Sequence, residues 1–198
     1  MSIKVHYIPT GVANLASLRT GFWQLEAELT PAETADEVRN ADYLLLPGVG
    51  AFTAAINALT ELNIKESLTE RIQSDRPTFA VCLGMQLLAQ SSEEAPGLPG
   101  LGIVEAKVEW LGRNAAVVPH MGWNRVVGSG AAEYAYFANS FAIRADQITG
   151  WNVASFEYGD QYIAMMQRGV TVACQFHPEI SGNYGKSIMR NWLEGKSC

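Results

Sequence analysis

Thr78-Phe79-Ala80-Val81-Cys82-Leu83-Gly84-Met85-Gln86 is an apolar run that meets a cysteine and then continues with helical spacing. A run without polar alternation suits a strand covered on both faces, the usual condition in a parallel sheet. Parallel strands need crossovers, most often helices, and the preceding chain is patterned for them. Residues 3–8 read as a strand, and residues 14–26 place Leu15, Leu18, Phe22 and Leu25 at helical spacing. Thr30-Pro31 reads as an N-cap followed by proline at the first position of a short helix. Tyr43-Leu44-Leu45-Leu46 is a second continuous apolar strand, stopped by Pro47-Gly48-Val49-Gly50. Helical patterns follow at about 53–59 and 64–74, and the one after Cys82 continues to Gln90.

Beyond a loop at 91–100 the period becomes strand-like, near 102–111, 134–143, 151–158 and 161–167. A further strand at 170–176 ends in His177-Pro178-Glu179, and a helix at 184–193 closes the pattern. The expected architecture is a single α/β domain over residues 1–198. It has a central, mostly parallel sheet flanked by helices, with antiparallel β additions in the second half.

Composition narrows the function. The 198 residues are 48% hydrophobic, enough for one sizeable core. Fourteen Lys plus Arg against 20 Asp plus Glu give a net charge of −6, with no basic stripe for phosphate backbones, so no nucleic-acid partner is expected. No basic segment precedes an apolar run at the start, and no stretch of about 18 apolar residues occurs, so the expectation is a cytoplasmic protein without a membrane partner. Cys82, Cys174 and Cys198 are too few and too scattered for a disulfide framework or a zinc site. No metal or cofactor is expected, and at least one thiol is a candidate for reactivity.

Cys82 sits where a strand turns sharply into a helix, like the nucleophile elbow G-x-S-x-G with Cys for Ser and Ala80 for the first Gly. A helix starting at Leu83 would aim free N–H groups at the sulfur and favour the thiolate. Taken alone, a cysteine after an apolar strand is better explained as an inert core residue, and the strand-to-helix junction does not overturn that. His177 changes the balance, because the end of a parallel strand brings it to the same sheet edge as Cys82. Pro178 ends that strand and holds the turn, so Glu179 can orient one imidazole nitrogen while the other faces the thiol. Donors for an oxyanion are available from the Leu83 N–H and from the loop containing Val49 and Gly50.

Ala80-Val81-Cys82-Leu83-Gly84-Met85-Gln86 and Gln175-Phe176-His177-Pro178-Glu179 together resemble the G-x-C-x-G-x-Q and H-P-E motifs of the class I, or triad, glutamine amidotransferase family. The resemblance implies Cys82, His177 and Glu179 as the triad. It also implies that Gly48, Gln86, Ser140 and Phe141 hold glutamine. Val118-Pro119-His120-Met121-Gly122-Trp123-Asn124 is similar to a segment of the glutaminase subunits that serve imidazole glycerol phosphate synthases. Within that branch it implies a partner, a (β/α)₈-barrel cyclase subunit. Asn14, Pro119, His120, Met121, Gly122, Trp123 and Asn124 would then lie toward the interface. Without the resemblance, His120 and Trp123 read as a polar turn and a partly buried anchor.

Several positions depart from the family pattern, among them Pro9-Thr10-Gly11-Val12-Ala13-Asn14, where D-Y-G-x-G-N is more common. Ala80 replaces the elbow's first Gly, Asn139 and Phe141 stand where His and Tyr are common, and Ile180 follows His-Pro-Glu where Lys is common. The implied reaction is hydrolysis of glutamine to glutamate, with ammonia passed to the partner. Rival readings are a glutaminase serving another acceptor, such as a surface sugar, a stand-alone cysteine peptidase or γ-glutamyl hydrolase, and a binding subunit with a dead site.

Overall fold

The structure, a computed structural model, describes residues 2–10, 15–115, 117–128 and 130–198. In chain order the first half runs β1 (Ile3–Tyr7), α1 (Leu15–Trp23), β2 (Ala27–Pro31), α2 (Ala35–Asn40), β3 (Tyr43–Leu46), α3 (Phe52–Glu61), α4 (Lys65–Gln73), β4 (Thr78–Val81), α5 (Leu83–Gln86) and β5 (Ala89–Ser92). The second half runs β6 (Val104–Trp110), β7 (His120–Val126), β8 (Glu133–Asn139), β9 (Phe141–Ile143), β10 (Asn152–Glu157), β11 (Gln161–Arg168), β12 (Thr171–Cys174) and α6 (Gly182–Leu193).

Seven strands form the central sheet in the order β10-β11-β12-β4-β3-β1-β2. The five strands from β12 to β2 are parallel, and β10 and β11 extend them antiparallel, as the α/β reading expects. The continuous apolar strands explain themselves here. Every residue of β4 and β12 is buried, because one sheet face packs on α3 and α4 and the other on α1 and α6. Outside this sheet lie the hairpin β7-β8 and a mixed three-stranded sheet in which β5 pairs parallel and β9 antiparallel with β6.

The structure corrects several sequence expectations. Thr30 and Pro31 do not cap a helix; they end β2, an edge strand paired with β1, where the missing proline N–H removes no needed ladder bond. The cap is Thr34, whose side chain accepts from the Glu37 N–H while the Glu37 carboxylate accepts from the Thr34 N–H, a complete capping box. The helix after Cys82 stops at Gln86 rather than Gln90. Residues 87–90 instead accept N–H groups from Gly100, Leu101, Gly102 and Ile103, and Ser91 and Ser92 belong to β5 rather than to a loop. The segment 134–143 breaks at Ser140, sending β8 and β9 into different sheets. His120, expected in a polar turn, and Trp123 both lie in β7.

Arg71, 2% exposed, ties α2 to the central sheet. Its guanidinium donates to the carbonyls of Val38 (3.0 Å), Arg39 (3.2 Å), Ala41 (2.8 Å) and Pro77 (2.7 Å), and to Thr78 Oγ1 (3.2 Å). Burial, with the nearby Arg76 charge, lowers its pKa to about 10, which leaves it charged at neutral pH. It satisfies buried and half-buried carbonyls at the end of α2 and at the entries to β3 and β4. Arg71→Met, similar in length but without donors, should lower the unfolding free energy by about 3–5 kcal/mol. Urea denaturation checks this. A loss under about 1 kcal/mol would show that the carbonyls find other partners.

Candidate active site

Pairing of β4 with β12 builds the site. Val81 is opposite Cys174 in a parallel register, so the next residues of both strands leave the sheet at the same edge. The Cys82 N–H continues the ladder, donating to the Cys174 carbonyl at 2.7 Å. Cys82 itself has φ 53° and ψ −110°, a conformation that non-glycine residues adopt only under strain and that the surrounding packing must enforce. That packing is tight. A Cβ added to Gly84 would lie 2.0 Å from the Leu46 carbonyl oxygen, and one added to Gly48 would lie 2.7 Å from Leu83 Cβ. Ala80, in place of the elbow's usual glycine, is accommodated in the core beside Leu46 and Ala173.

His177, the third residue beyond β12, is buried, and its Nδ1 lies 2.9 Å from Glu179 Oε1. Pro178 opens the short 3₁₀ turn 178–180 that folds Glu179 back onto the imidazole. Ser181 secures the turn, donating from Oγ to the His177 carbonyl at 2.6 Å and accepting the Tyr136 N–H at 2.9 Å. Helix α1 crosses closely behind, since a Cβ on Gly21 would come within 3.2 Å of Glu179 Cβ. Burial alone would lower the His177 pKa. Hydrogen bonds to Cys82 and Glu179, reinforced by their negative charges, outweigh it and raise the value to about 10. The three residues expected to act together are therefore brought together with the imidazole between two acceptors.

A cavity of about 290 Å³ opens over Cys82. Val49, Gly50, Leu83, Gln86, Glu94, Pro119, Met121, Asn139, Ser140 and Phe141 contribute to its walls. Of the expected oxyanion donors, Leu83 is not free: its N–H donates to the Gly48 carbonyl at 3.2 Å. The loop thus presents an oxygen where a donor was expected, because a buried N–H takes the acceptor within reach. Gln86 is buried, and its amide N–H groups go to the Phe141 carbonyl (2.8 Å) and Gln175 Oε1 (3.1 Å) rather than standing free for a ligand.

Two polar groups here escaped the sequence reading. Glu94 reaches the cavity from the turn after β5, and burial raises its carboxyl pKa although the Phe52 N–H counteracts this. Gln175 is fully buried beside the sulfur. Glu94 had only the acidic composition of its segment to mark it, whereas Gln175 lay within a quoted motif.

The expected interface residues divide. Met121 and Trp123 are 61% and 56% exposed on the outer face of β7, beside the cavity mouth, and Pro119 and Met121 also line it. Gly122 and Asn124 are partly covered. His120 is corrected: it is 4% exposed, with its ring centroid 4.0 Å from that of Tyr158 and 4.9 Å from that of Phe137. Strand alternation turns it inward, and burial lowers its pKa to about 4, so it is a neutral core residue rather than a surface contact. Asn14 lies outside the described residues. Among the described residues no cluster of His, Cys, Asp and Glu could hold a metal ion, and no helix is long and apolar enough to cross a membrane.

With a strained cysteine elbow, a His-Glu pair and a lined cavity established, the comparisons with known proteins identify the class. Residues 14–195 match the family model for glutamine amidotransferase class-I, and the chain belongs to that family. Solved structures agree on the fold: a glutamine amidotransferase crystal structure superposes with a TM-score of 0.77 at 20% identity, covering 96% of this chain and 97% of that one. PurLQS from Thermotoga maritima gives 0.75 at 14% identity, covering 98% and 99%.

Relatives at higher identity narrow the branch. The chain is 34% identical to imidazole glycerol phosphate synthase subunit HisH of Idiomarina loihiensis, over 99% of this chain and 100% of that protein. Identity to the subunit of the same name from Escherichia coli K12 is also 34%, over 97% and 100%. It is 37% identical to the chloroplastic imidazole glycerol phosphate synthase hisHF of Arabidopsis thaliana, where 94% of this chain matches 33% of the longer protein.

The charge arrangement has a pH signature. Because the folded His177 pKa is raised above 6.5, its pairing stabilises the fold fully below that value and loses the contribution as pH climbs through about 10. Glu179→Gln removes one negative partner, so the imidazolium should deprotonate at least about one pH unit lower, as followed by histidine NMR. An unmoved titration would show that Glu179 does not hold the ring's charge.

Proposed function

We propose that this chain is the glutaminase subunit of an imidazole glycerol phosphate synthase. It hydrolyses glutamine at Cys82 and delivers ammonia to a (β/α)₈-barrel cyclase subunit in histidine biosynthesis. The observation that carries the reading is His177, held between Cys82 and the Glu179 carboxylate at the edge where the strained elbow presents the sulfur. Near-full-length identity to HisH subunits supports the particular branch.

In this reading the Cys82 thiolate attacks the carbon of the glutamine side-chain amide, forming a C–S bond and a tetrahedral oxyanion. Imidazolium His177 gives its proton to the amide nitrogen, the C–N bond breaks, and ammonia leaves. Neutral His177 then takes a proton from water as the hydroxide adds to the thioester. The C–S bond breaks, the new carboxyl group gives its proton to water as glutamate departs, and the thiolate returns beside the imidazolium. Glu179 holds the ring and its positive charge throughout.

Glutamine carries an α-ammonium group, and the cavity supplies a match. Glu94 faces it without a basic neighbour among the described lining residues, so a ligand cation would relieve the desolvation of its carboxylate. Glu94→Gln should raise KM for glutamine about tenfold or more with a smaller change in kcat. Steady-state glutamate release measures it, and an unchanged KM would remove Glu94 from substrate binding.

The oxyanion position is closed in the isolated chain because Leu83 N–H is paired with the Gly48 carbonyl. Rotating the peptide between Gly48 and Val49 would carry the Gly48 carbonyl away from the Leu83 N–H and turn the Val49 N–H inward, since that carbonyl and the Val49 N–H belong to one rigid unit. Partner binding is proposed to favour the rotated state, restricting hydrolysis to the complex that can use the ammonia. Trp123 and Met121, exposed beside the mouth, suit an apolar partner contact there. Surface and cavity thus point to one face.

Glutamate release should be weak for this chain alone and rise by about 100-fold or more with the cyclase and its nucleotide substrate, with loss of the activity in Cys82→Ala. Equal turnover without partner would instead favour a stand-alone hydrolase, and activity unaffected by the cyclase would favour another acceptor.

A further inference from the structure

Gln175 makes a contact with the sulfur that the triad does not use. It follows β12, is fully buried, and donates from Nε2 to Cys82 Sγ at 3.6 Å, within reach for a sulfur acceptor. Its direction is set by the neighbours. The Phe141 carbonyl accepts only, so Gln86 turns its NH₂ group toward it at 2.8 Å. The same NH₂ needs a second acceptor, which Gln175 Oε1 supplies at 3.1 Å. That places the Gln175 NH₂ against the sulfur. Asn139 Nδ2 donates to the Phe141 carbonyl as well, at 3.0 Å, which fixes the acceptor at the end of the chain remote from the sulfur.

We infer that Gln175 is a second donor to the Cys82 thiolate, oriented by Gln86, and that it holds the sulfur's charge and aim when His177 is occupied elsewhere. The inference rests on the proposed glutaminase role. During hydrolysis of the thioester, His177 faces water and takes its proton while charge grows on the departing sulfur. A non-titrating amide that stays in place supplies a donor for that charge without reorganisation. In the family motif reading Gln86 holds glutamine, whereas here its amide is spent on fixing Gln175.

The charged and titratable groups around the sulfur are few. His177 faces it after β12 with Glu179 behind, Glu94 lines the same cavity after β5, and Cys174 on β12 is kept neutral by burial. Loss of the Gln175 donor should therefore show directly in the thiolate.

Gln175→Glu keeps an oxygen toward Gln86 and replaces the donor by an acceptor, and Gln175→Met removes both without adding charge. Ultraviolet thiolate absorbance, referenced to Cys82→Ala, should titrate about one pH unit higher in Gln175→Glu and shift in the same direction in Gln175→Met. In the complex, kcat for glutamine should fall about tenfold at neutral pH with KM little changed, and recover on the alkaline side. Should either variant fail to fold, the wild type still decides: the Gln175 side-chain NH₂ resonance must follow the Cys82 titration and become indifferent to pH in Cys82→Ala. Unmoved thiolate titration in folded variants, or an NH₂ resonance blind to Cys82, overturns the inference. Inactivity of the wild-type complex would count against the glutaminase reading alone, because the thiolate titration reads Gln175 without turnover.

Discussion

The parallel pairing of β4 with β12 is the constraint on which the rest depends. Residues about 95 positions apart in the chain are forced to leave the sheet at one edge by a register in which Val81 faces Cys174. The Cys82 N–H to Cys174 carbonyl bond extends that register one residue past the regular strands. Ladder hydrogen bonds in a sheet buried on both faces have no competing water, so a one-residue slip would orphan buried groups and reverse every side chain. Proximity of Cys82 and His177 is thus a consequence of sheet geometry, and the local turns only refine it.

Those turns work against backbone preference. A positive φ at Cys82 is tolerated because α5 is short and seated on small residues, with Gly84 against the Leu46 carbonyl and Gly48 against Leu83. The helix is one turn long, so its dipole contributes little to the sulfur compared with direct partners. His177 and Gln175 are those partners. The proposed thiolate is held by hydrogen bonds from largely buried side chains, where each bond is electrostatically stronger than in water.

A different economy governs the Pro47 to Gly50 loop. The Gly48 carbonyl satisfies the Leu83 N–H, and it also removes the donor that an oxyanion would use. The same hydrogen bond that stabilises the resting chain therefore opposes the proposed chemistry. Coupling between partner and site needs only a ligand that prefers the rotated peptide, not a rearranged fold.

Much of this was legible in the sequence. Apolar strands at 43–46, 78–81 and 170–176 announced a doubly covered parallel sheet, and Cys82, His177 and Glu179 each stood at a strand end where loops carry chemistry. Short-range signals misled where tertiary pairing outweighed them: Thr30-Pro31 imitates a helix start but lies in an edge strand, and residues 87–90 keep helical spacing yet pair with 100–103. His120 looked polar and exposed, although aromatic rings enclose it. Residue type and periodicity by themselves determined the class of fold and the three chemical groups, because both follow from local patterns of burial and reactivity. The tertiary structure alone decided which donor pairs with Gly48, where Glu94 emerges and which way Gln175 points, because each depends on contacts between segments that no spacing in the chain encodes.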